Sequence, residues 1–552
     1  INLINMIHRK ESVIVRAPTS SGKTFIAMAA GILHKKILYV CPAKPVAYQV
    51  GSNFINMGYK VHFLVDNISH HSYTAQTNIF VGTPKEIENN LNKIGVQYDY
   101  VVFDEIHNLN KKDDGNIYEN IIKIVGCNFL ALSATIKNID FLKDLFKKLN
   151  PNHKINYVEY NKRFINHQRW IWDNNKLVKL HPLCVYKSIN EMKDDSSLSF
   201  TPSDCAKIWN NIEDIFEEVI DETGDLDNCS PDDYFKNNDL LTLDNCKDYE
   251  LFIKNKLISL NNTYEKEVGE LFDSFSTNKT LKDNNDIINF IRKTKDKDMF
   301  PMLMFHTEED KCKDIFNNIY NLLKDKELED YPFHYDILEK KEELYQSYLN
   351  KREVFKSNIK VTSGSTNAQF FIKEKMELYD KKEKTTYISN IISFYESKIN
   401  EIHKNDYTDT IKEKQKKNIE IEMNNFILNP DFSSQDIFQK HPDFIFTNSN
   451  EPISGETIRE VRREIKNTLG IKIPYESPLF QMLKRGIGLY IENAPDEYNW
   501  ILQKLLTKKE IGIVISDKTL CLGIDLPVRT TCFLGIDNSI FTKDEYLQMS
   551  GR

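Results

Sequence analysis

The run Val13-Ile-Val-Arg16 followed by Ala17-Pro-Thr-Ser-Ser-Gly-Lys-Thr24 decides the fold of the first part of the chain. A continuous apolar run predicts a buried strand, and the loop after it leads into a helical pattern. A phosphate group needs a concave set of backbone amides, a helix N-terminus and a mobile ammonium. Gly22 lets the loop curl, the Lys23 ammonium can reach phosphate oxygens, and the Thr24 hydroxyl can bind magnesium. The remaining loop residues predicted to bind the nucleotide are Ala17, Thr19, Ser20 and Ser21.

Short apolar runs alternate with helical patterns over residues 1–160. The predicted strands are Val13–Arg16, Ile37–Cys41, Val61–Val65, Ile79–Val81, Tyr98–Phe103 and Phe129–Leu132. Several of them are β-branched runs, which is typical of parallel strands covered on both faces. This alternation predicts a doubly wound α/β domain.

An acidic box follows one of these predicted strands. Tyr98–Phe103 ends in Asp104-Glu-Ile-His107, and the carboxyl ends of parallel strands commonly carry catalytic groups. Asp104 would hold magnesium through water, and Glu105 would polarise the attacking water as the general base. A solvated turn is the alternative, but four apolar residues precede the two acids. Ser133-Ala-Thr135 follows the next strand, and its hydroxyls can hydrogen-bond the acidic box.

Two further loops and the last residues carry candidate binding groups. Pro42-Ala-Lys44 and Gly82-Thr83 each follow a predicted strand. These loops suit the binding of a sugar-phosphate backbone, and the alternative is that they are ordinary turns. Near the end, Gly523-Ile-Asp525 precedes Gln548-Met-Ser-Gly-Arg552. An arginine placed opposite a triphosphate stabilises the charge on the transferring phosphoryl group.

The rest of the chain predicts a second parallel-sheet lobe interrupted by helices. Thr201-Pro-Ser-Asp204 is a good helix start, with a hydroxyl cap and a proline in the first turn. Between Pro332 and Pro430 the pattern predicts two or three long amphipathic helices in a solvated insertion. Further strands are predicted at Pro301–Phe305, Ile487–Tyr490, Ile511–Ile515 and Thr531–Leu534. The predicted domains are lobe 1 (1–160), a mixed linker or insertion (161–297), lobe 2 (298–312 plus 476–552) and a helical insertion (313–475).

Composition limits the class of protein. The 552 residues carry a net charge of −8, so the chain as a whole has no positive field that would indicate nucleic-acid binding. Binding of nucleic acid would need a local basic groove. Nine scattered cysteines without a CxxC pair argue against a disulfide framework or a zinc site, and reduced thiols indicate an intracellular protein. We predict no membrane span or signal peptide. The chain begins inside a helical pattern and stops at Gly551-Arg552, so we expect a piece of a longer protein.

The motifs, in this order, resemble the superfamily 2 DExH-box helicases of the Ski2-like group. The matching segments include APTSSGKT, YVCPAKPVAYQV, DEIH, LSATI, ISDKTLCLGIDLP and YLQMSGR. The likeness is strongest to the large antiviral-type DExD/H-box proteins and to helicase-like proteins of giant viruses, so a viral origin is open. The resemblance implies two RecA-like lobes, ATP with Mg²⁺, and single-stranded nucleic acid.

The resemblance also implies roles for single residues. His107 and Gln548 would couple the lobes, Asp525 would contact the ribose, and Arg552 would be the first of two lobe-two arginines. Gly523 belongs to the same predicted nucleotide site. The nucleic-acid-facing candidates are Pro42, Lys44, Gly82, Thr83, Arg485, Gly486 and Thr519.

The function predicted on this basis is an ATP-dependent RNA helicase or remodeller of RNA–protein complexes. A DNA translocase of the same fold is the second reading, because no residue pattern here reveals a contact to a ribose 2′-hydroxyl. The third is a nucleic-acid sensor or scaffold with a slow ATPase, whose helical insertion recruits protein partners. We expect the cytoplasm rather than the nucleus.

Overall fold

The structure, a computed structural model, describes residues 2–18, 21–65, 76–110, 115–134, 136, 138–151, 153–160, 167–173, 175–186, 188–194, 199–220, 226–276, 286–359, 368–402, 404, 407–521, 526–535, 546 and 549–550. The chain divides into two units whose main spans are 1–297 and 298–535. Each unit contains its own parallel β-sheet.

The first unit contains a seven-stranded sheet in which all strands run parallel. The strands are β1 (Ser12–Arg16), β2 (Ile37–Val40), β3 (Val61–Leu64), β4 (Ile79–Gly82), β5 (Tyr100–Phe103), β6 (Phe129–Ser133) and β7 (Ile155–Glu159). Their order is β3-β4-β2-β5-β6-β1-β7, which places β5, β6 and β1 side by side. The apolar runs predicted the first six strands. The half-buried edge strand β7 lies outside that predicted set.

Helices cover both faces of this sheet, as a doubly wound domain requires. They are α1 (Asn2–His8), α2 (Lys23–Leu33), α3 (Lys44–Asn56), α4 (Pro84–Ile94), α5 (Gly115–Val125) and α6 (Ile139–Leu149). The last three contribute Ile87, Ile121 and Phe146 to one buried core, where Phe146 stacks on Phe129 at 4.1 Å between ring centroids. Each strand alternates its side chains between the two helical layers, so every residue of β2, β4, β5 and β6 is buried.

A mainly helical segment completes the first unit. It contains a hairpin of β8 (Arg169–Asp173) and β9 (Lys176–Leu180). Its helices are α7 (Ile189–Asp194), α8 (Pro202–Ile220), α9 (Pro231–Phe235), α10 (Leu243–Asn261), α11 (Glu265–Phe275) and α12 (Ile287–Asp296). The predicted helix start is confirmed, since the Asp204 N–H donates to the Thr201 hydroxyl at 3.1 Å and the Thr201 N–H donates to the Asp204 carboxylate at 2.9 Å. The helices enclose a separate apolar core that includes Ile208, Ile253 and Leu271.

The second unit contains a four-stranded parallel sheet in the order β11-β12-β10-β13. The strands are β10 (Met302–Phe305), β11 (Ile487–Tyr490), β12 (Ile513–Ser516) and β13 (Thr530–Phe533). Each lies within two residues of a predicted strand. Together the two sheets are α/β lobes of the RecA-like kind, as the sequence predicted.

Helices fill the long connection from β10 to β11. They are α13 (Glu309–Asp330), α14 (His334–Asn358), α15 (Ala368–Ile402), α16 (Asp409–Leu428), α17 (Gly455–Leu469) and α18 (Pro478–Lys484), and α19 (Asp496–Thr507) follows β11. The sequence predicts two or three long helices between Pro332 and Pro430, and the described residues there form three, α14, α15 and α16. They share an apolar core of their own around Ile391 and Phe426.

Candidate nucleotide site

The predicted phosphate loop connects β1 to α2. The Ala17 N–H donates to the Ser133 carbonyl at 3.0 Å, and the Ser21 hydroxyl donates to the Pro18 carbonyl at 2.6 Å. Gly22 has a φ of 87° and precedes the first residue of α2. This left-handed conformation suits glycine, and it turns the chain so that the free amides of the helix start point out of the loop. Thr19 and Ser20 lie outside the described residues.

Lys23, the first residue of α2, is buried beside this loop. Its ammonium donates to the Ala17 carbonyl at 3.2 Å and lies 3.6 Å from Glu105 Oε1. Only 8% of Lys23 and 4% of Glu105 are exposed, so each charge depends on the other for compensation. The loop lysine and the predicted base are therefore paired within the first unit.

The acidic box stands at the carboxyl end of β5. The Asp104 N–H continues the ladder to the Val40 carbonyl at 3.0 Å, and the Glu105 N–H donates to Asp104 Oδ1 at 3.1 Å. Glu105 has a φ of 50°, a conformation that non-glycine residues adopt at a cost and that often marks functional sites. The turn that follows holds both carboxylates in the interior rather than in solvent, which rules out the solvated-turn alternative.

His107 connects the acidic box to the next strand. Its Nδ1 lies 3.0 Å from the Ser133 hydroxyl and 3.3 Å from Glu105 Oε2. Ser133 ends β6, so the predicted hydrogen bond between its hydroxyl and the acidic box is confirmed. Lys23, Glu105, His107 and Ser133 form one connected set that joins the start of α2, the turn after β5 and the end of β6. Thr135 lies outside the described residues.

Two side chains near Asp104, Tyr39 and Cys41, are buried and uncharged. Burial raises the pKa of the Tyr39 phenol well above its ordinary value, and the nearby Asp104 carboxylate raises it further. Burial and Asp104 raise the pKa of the Cys41 thiol in the same way. Both groups remain uncharged at neutral pH. Sequence reasoning did not single out Tyr39, although a lone hydroxyl inside an apolar strand next to a catalytic strand is a usable signal.

The oxygen donors at this edge of the sheet match those that magnesium prefers. Asp104 offers a carboxylate, and Thr24, the second residue of α2, offers a half-buried hydroxyl. Magnesium binds in proteins through one or two such oxygens and keeps several of its waters. The residues that the sequence assigned to the metal therefore fit the group chemically.

The two predicted backbone-binding loops lie on neighbouring strands. The Cys41 N–H donates to the Gly82 carbonyl at 2.8 Å, which joins the end of β2 to the end of β4. Pro42 follows β2, and Lys44 is the first residue of α3. Thr83 precedes α4, and its N–H donates to the Leu64 carbonyl at 3.1 Å. The structure thus brings both loops to one edge of the sheet.

Two residues predicted to contact nucleic acid lie in the interior of the second unit. Arg485 is 1% exposed, it pairs with Glu327 of α13, and its Nη1 donates to the Phe444 carbonyl at 3.4 Å. Gly486 has a φ of 83°, and a Cβ there would lie 2.8 Å from the backbone of Phe446. Neither residue can reach a nucleic acid from this position, because both form part of the interior beneath β11.

The other predicted residues of the second unit have mixed outcomes. Thr519 is described and half-buried, and its N–H donates to Asp517 Oδ1 at 2.9 Å. Its nucleic-acid role stays a prediction. Gly523, Asp525, Gln548 and Arg552 lie outside the described residues.

A second polar cluster in the described chain has ligand-type side chains but the wrong protonation for a metal. His334, Glu422 and His441 place their ligand atoms within 4.8 Å of one another. His441 Nδ1 accepts the Asp443 N–H at 3.2 Å, so the proton of the neutral ring is on Nε2, 2.7 Å from Glu422. A metal would require that nitrogen to be unprotonated. The cluster is therefore a hydrogen-bonded one.

Among the described residues, none of the helices has the length and hydropathy needed to cross a membrane.

The part of the chain that contains this site resembles known proteins. Residues 1–142 match the DEAD/DEAH box helicase model. An uncharacterized helicase of Dictyostelium discoideum is 28% identical over 30% of this chain and 10% of its own length. The probable ATP-dependent RNA helicase DDX60-like of Homo sapiens is 30% identical over 25% of this chain and 9% of its own length. The DExH-box ATP-dependent RNA helicase DExH11 of Arabidopsis thaliana is 26% identical over 34% of this chain and 14% of its own length.

The chain thus spans about a tenth of the length of these curated relatives. The matched residues contain the phosphate loop, the acidic box and Ser133, so the family match and the site geometry concern the same part of the fold. Residues 1–142 therefore resemble the DEAD/DEAH box helicase domain, and the similar proteins named above include a DExH-box member.

Proposed function

We propose that this chain hydrolyses ATP with Mg²⁺ and uses the free energy to move along, unwind or remodel RNA. The observation that carries the proposal is the buried pairing of Lys23 with Glu105 at 3.6 Å, beside a loop whose free amides suit phosphate. A structural ion pair would not need a helix start, a left-handed glutamate and a helicase sequence pattern at the same place.

In this proposal, Lys23 exchanges partners when a nucleotide binds. Its ammonium lies 3.6 Å from Glu105 Oε1, and triphosphate oxygens at the start of α2 can replace that carboxylate as its partner. Glu105 then accepts the proton of the attacking water as the general base. Asp104 and Thr24 would hold magnesium, which neutralises phosphate charge when bound. His107, held by Ser133, would orient Glu105.

RNA is the proposed strand because two of the relatives reported above are named RNA helicases. The side chains and amides of Pro42, Lys44, Gly82 and Thr83 suit contacts to a sugar-phosphate backbone, which carry no base information. A DNA strand would satisfy the same groups, so DNA translocation is the alternative within this class.

The assignment of domains is also a proposal. Residues 1–160 would be the ATP-binding lobe, and 298–312 plus 476–552 would be the second lobe. Residues 161–297 and 313–475 would be insertions, which the separate apolar cores of the two segments support. On motif resemblance we propose Gln548 and Arg552 as catalytic residues, Gly523 and Asp525 as nucleotide contacts, and Thr519 as a nucleic-acid contact.

A second candidate function is a nucleic-acid sensor or scaffold with a slow ATPase. The observation that favours it lies on α15, where Phe370 is 71% exposed and Leu378 is 62% exposed. Exposed large apolar side chains on a long helix are typical of surfaces that bind protein partners. In that case the chain would bind nucleic acid and protein partners without hydrolysing ATP.

The test is ATP hydrolysis by the full chain with single-stranded RNA, single-stranded DNA or neither. We expect RNA to stimulate turnover more than DNA does, and a Lys23→Ala variant to abolish turnover. RNA affinity should fall steeply with added salt, since phosphate contacts release counterions. Stimulation by DNA alone would replace the RNA assignment. RNA and partner binding that Lys23→Ala leaves unchanged, in a chain with negligible turnover, would favour the scaffold.

A further inference from the structure

A buried tyrosine lies beneath the acidic box. Tyr39 is a fully buried residue of β2, and it pairs with Val102 of β5, two residues before Asp104. Asp104 extends the ladder by donating its N–H to the Val40 carbonyl at 3.0 Å, so the alternation of the strand still holds there. Because side chains two residues apart share a face, Tyr39, Val102 and Asp104 point to the same side of the sheet.

The hydroxyl of this tyrosine has an unusual position for a core group. Within the described part of the chain, it makes no hydrogen bond of full standard geometry, and a weak one to the Asp104 carboxylate contributes least to its raised pKa. Buried polar groups nearly always have a partner, and the exceptions often have a catalytic reason. The Asp104 carboxylate exerts the largest electrostatic effect on the phenol among the charged groups around it. A neutral phenol can donate one hydrogen bond, and a carboxylate only accepts.

Packing alone does not explain the hydroxyl. The other residues of β2 are Ile37, Leu38 and Val40, all aliphatic and wholly buried. A phenylalanine would fill the same space without placing a polar atom in the interior. The oxygen is therefore the part of Tyr39 that needs a functional explanation.

We propose that Tyr39 is a positioning residue for the metal-binding carboxylate, and that its hydroxyl donates a hydrogen bond to Asp104 in the magnesium-bound state. This inference rests on the proposed ATPase. Asp104 Oδ1 already accepts the Glu105 N–H at 3.1 Å. A second hydrogen bond fixes the rotation of the carboxylate, so that its remaining lone pairs face the hydrated ion. Groups that orient metal ligands in this way tune metal affinity.

The test is a Tyr39→Phe variant of the full chain, which keeps the ring and removes only the oxygen. Magnesium is titrated at saturating ATP and RNA, and nucleotide affinity is measured separately in EDTA. We expect the magnesium concentration for half-maximal turnover to rise about 10-fold, as for the loss of other groups that orient metal ligands. Nucleotide affinity in EDTA should not change, because the hydroxyl acts only through Asp104.

Tyr100→Phe is the matched control. Tyr100 is also a wholly buried phenol, in β5 itself, but its hydroxyl donates to the Glu11 carbonyl at 2.7 Å and the Phe129 carbonyl at 3.0 Å. This variant should lower the melting temperature and leave the magnesium midpoint unchanged. A Tyr39→Phe midpoint within twofold of the wild-type value would overturn the proposal, and so would equal shifts in both variants.

Failure of the proposed ATPase function can be distinguished from failure of the role proposed for Tyr39. If the wild-type chain hydrolyses no ATP with any strand, the same comparison is made with a fluorescent ADP analogue, by its magnesium-dependent affinity. A 10-fold weaker magnesium midpoint in Tyr39→Phe would then still support the role of Tyr39 in a nucleotide-binding protein. An unchanged midpoint, or a wild type without magnesium-dependent nucleotide binding, would overturn it.

Discussion

Replacing Arg485 by methionine should destabilise the second unit and leave RNA affinity intact. Arg485 and Glu327 are 1% and 2% exposed at their side chains, so neither charge can be solvated when its partner is lost. Glu327 would keep the hydrogen bonds from the His441 N–H at 2.8 Å and the Tyr335 hydroxyl at 3.2 Å. Those neutral donors do not replace a guanidinium. Breaking one side of a buried ion pair costs about 3–5 kcal/mol, and we expect a loss in that range.

The assay is thermal and urea unfolding of the full chain, followed by a probe in the second unit. An Arg485→Met/Glu327→Leu double variant is the matched control, since replacing both charges by apolar groups of similar volume is often neutral or stabilising. The double variant should therefore recover most of the loss that the single variant shows. The interaction energy in this cycle isolates the pair from the lost packing of the Arg485 stem.

The opposite result would restore the role that the motif resemblance gave to Arg485. If Arg485→Met unfolded like the wild type but bound RNA more weakly, with a shallower dependence on salt, the arginine would contact phosphate. The burial argument would then be wrong, since a side chain that neutralises a phosphate must be accessible to it.

Three shorter predictions follow from the same contacts. Glu105→Gln should bind ATP normally but lower turnover by about 10²–10⁴-fold, the usual contribution of a general base, and wild-type turnover would exclude Glu105 from that role. Ser133→Ala should lower turnover about fivefold at unchanged ATP affinity, because it removes one hydrogen bond of about 1 kcal/mol to His107. Burial would raise the pKa of Glu327, but the Arg485 charge and the hydrogen bonds outweigh it, so the pKa is lowered. Its stabilising effect should therefore be present above the unfolded pKa and disappear as the pH falls through the folded value, and the stability difference between wild type and Glu327→Gln should shrink on acidification.

The sequence predicted the first lobe well because the signals there are local. Each of β1 to β6 is a continuous apolar run, and the site residues follow those runs directly. The carboxyl ends of adjacent parallel strands must meet, so Lys23 and Glu105 could be brought together from strand–helix alternation alone. By contrast, β7 lies at the sheet edge with four half-buried residues and one exposed residue, and it lacks a continuous apolar run.

The second unit shows what local signals miss. Arg485 has a motif position that indicates nucleic acid, but its partner Glu327 is 158 residues earlier in the chain. No periodicity connects residues at that separation, and a lone glutamate on an amphipathic helix reads as solvated surface. The hydroxyl of Tyr39 is a similar case, since the role proposed for it depends on Asp104 of the neighbouring strand and not on the sequence of β2.

The two buried ion pairs differ in a way that separates function from structure. Lys23 and Glu105 lie 3.6 Å apart beside the helix start that follows the phosphate loop, where an incoming anion can replace the carboxylate. Lys23 also donates to the Ala17 carbonyl at 3.2 Å, and Glu105 Oε2 lies 3.3 Å from His107 Nδ1. Arg485 and Glu327 are held by the Phe444 carbonyl, the His441 N–H and the Tyr335 hydroxyl as well as by each other. The Glu327 carboxylate also joins α13 to the segment that leads into β11. Replacing this carboxylate by another anion would therefore disrupt the packing of α13 and of that segment. Burial of charge is common to the two pairs. We expect the position of each pair, rather than its burial, to decide that the first can act as a switch and the second cannot, because only the first lies beside a helix start that suits an anion.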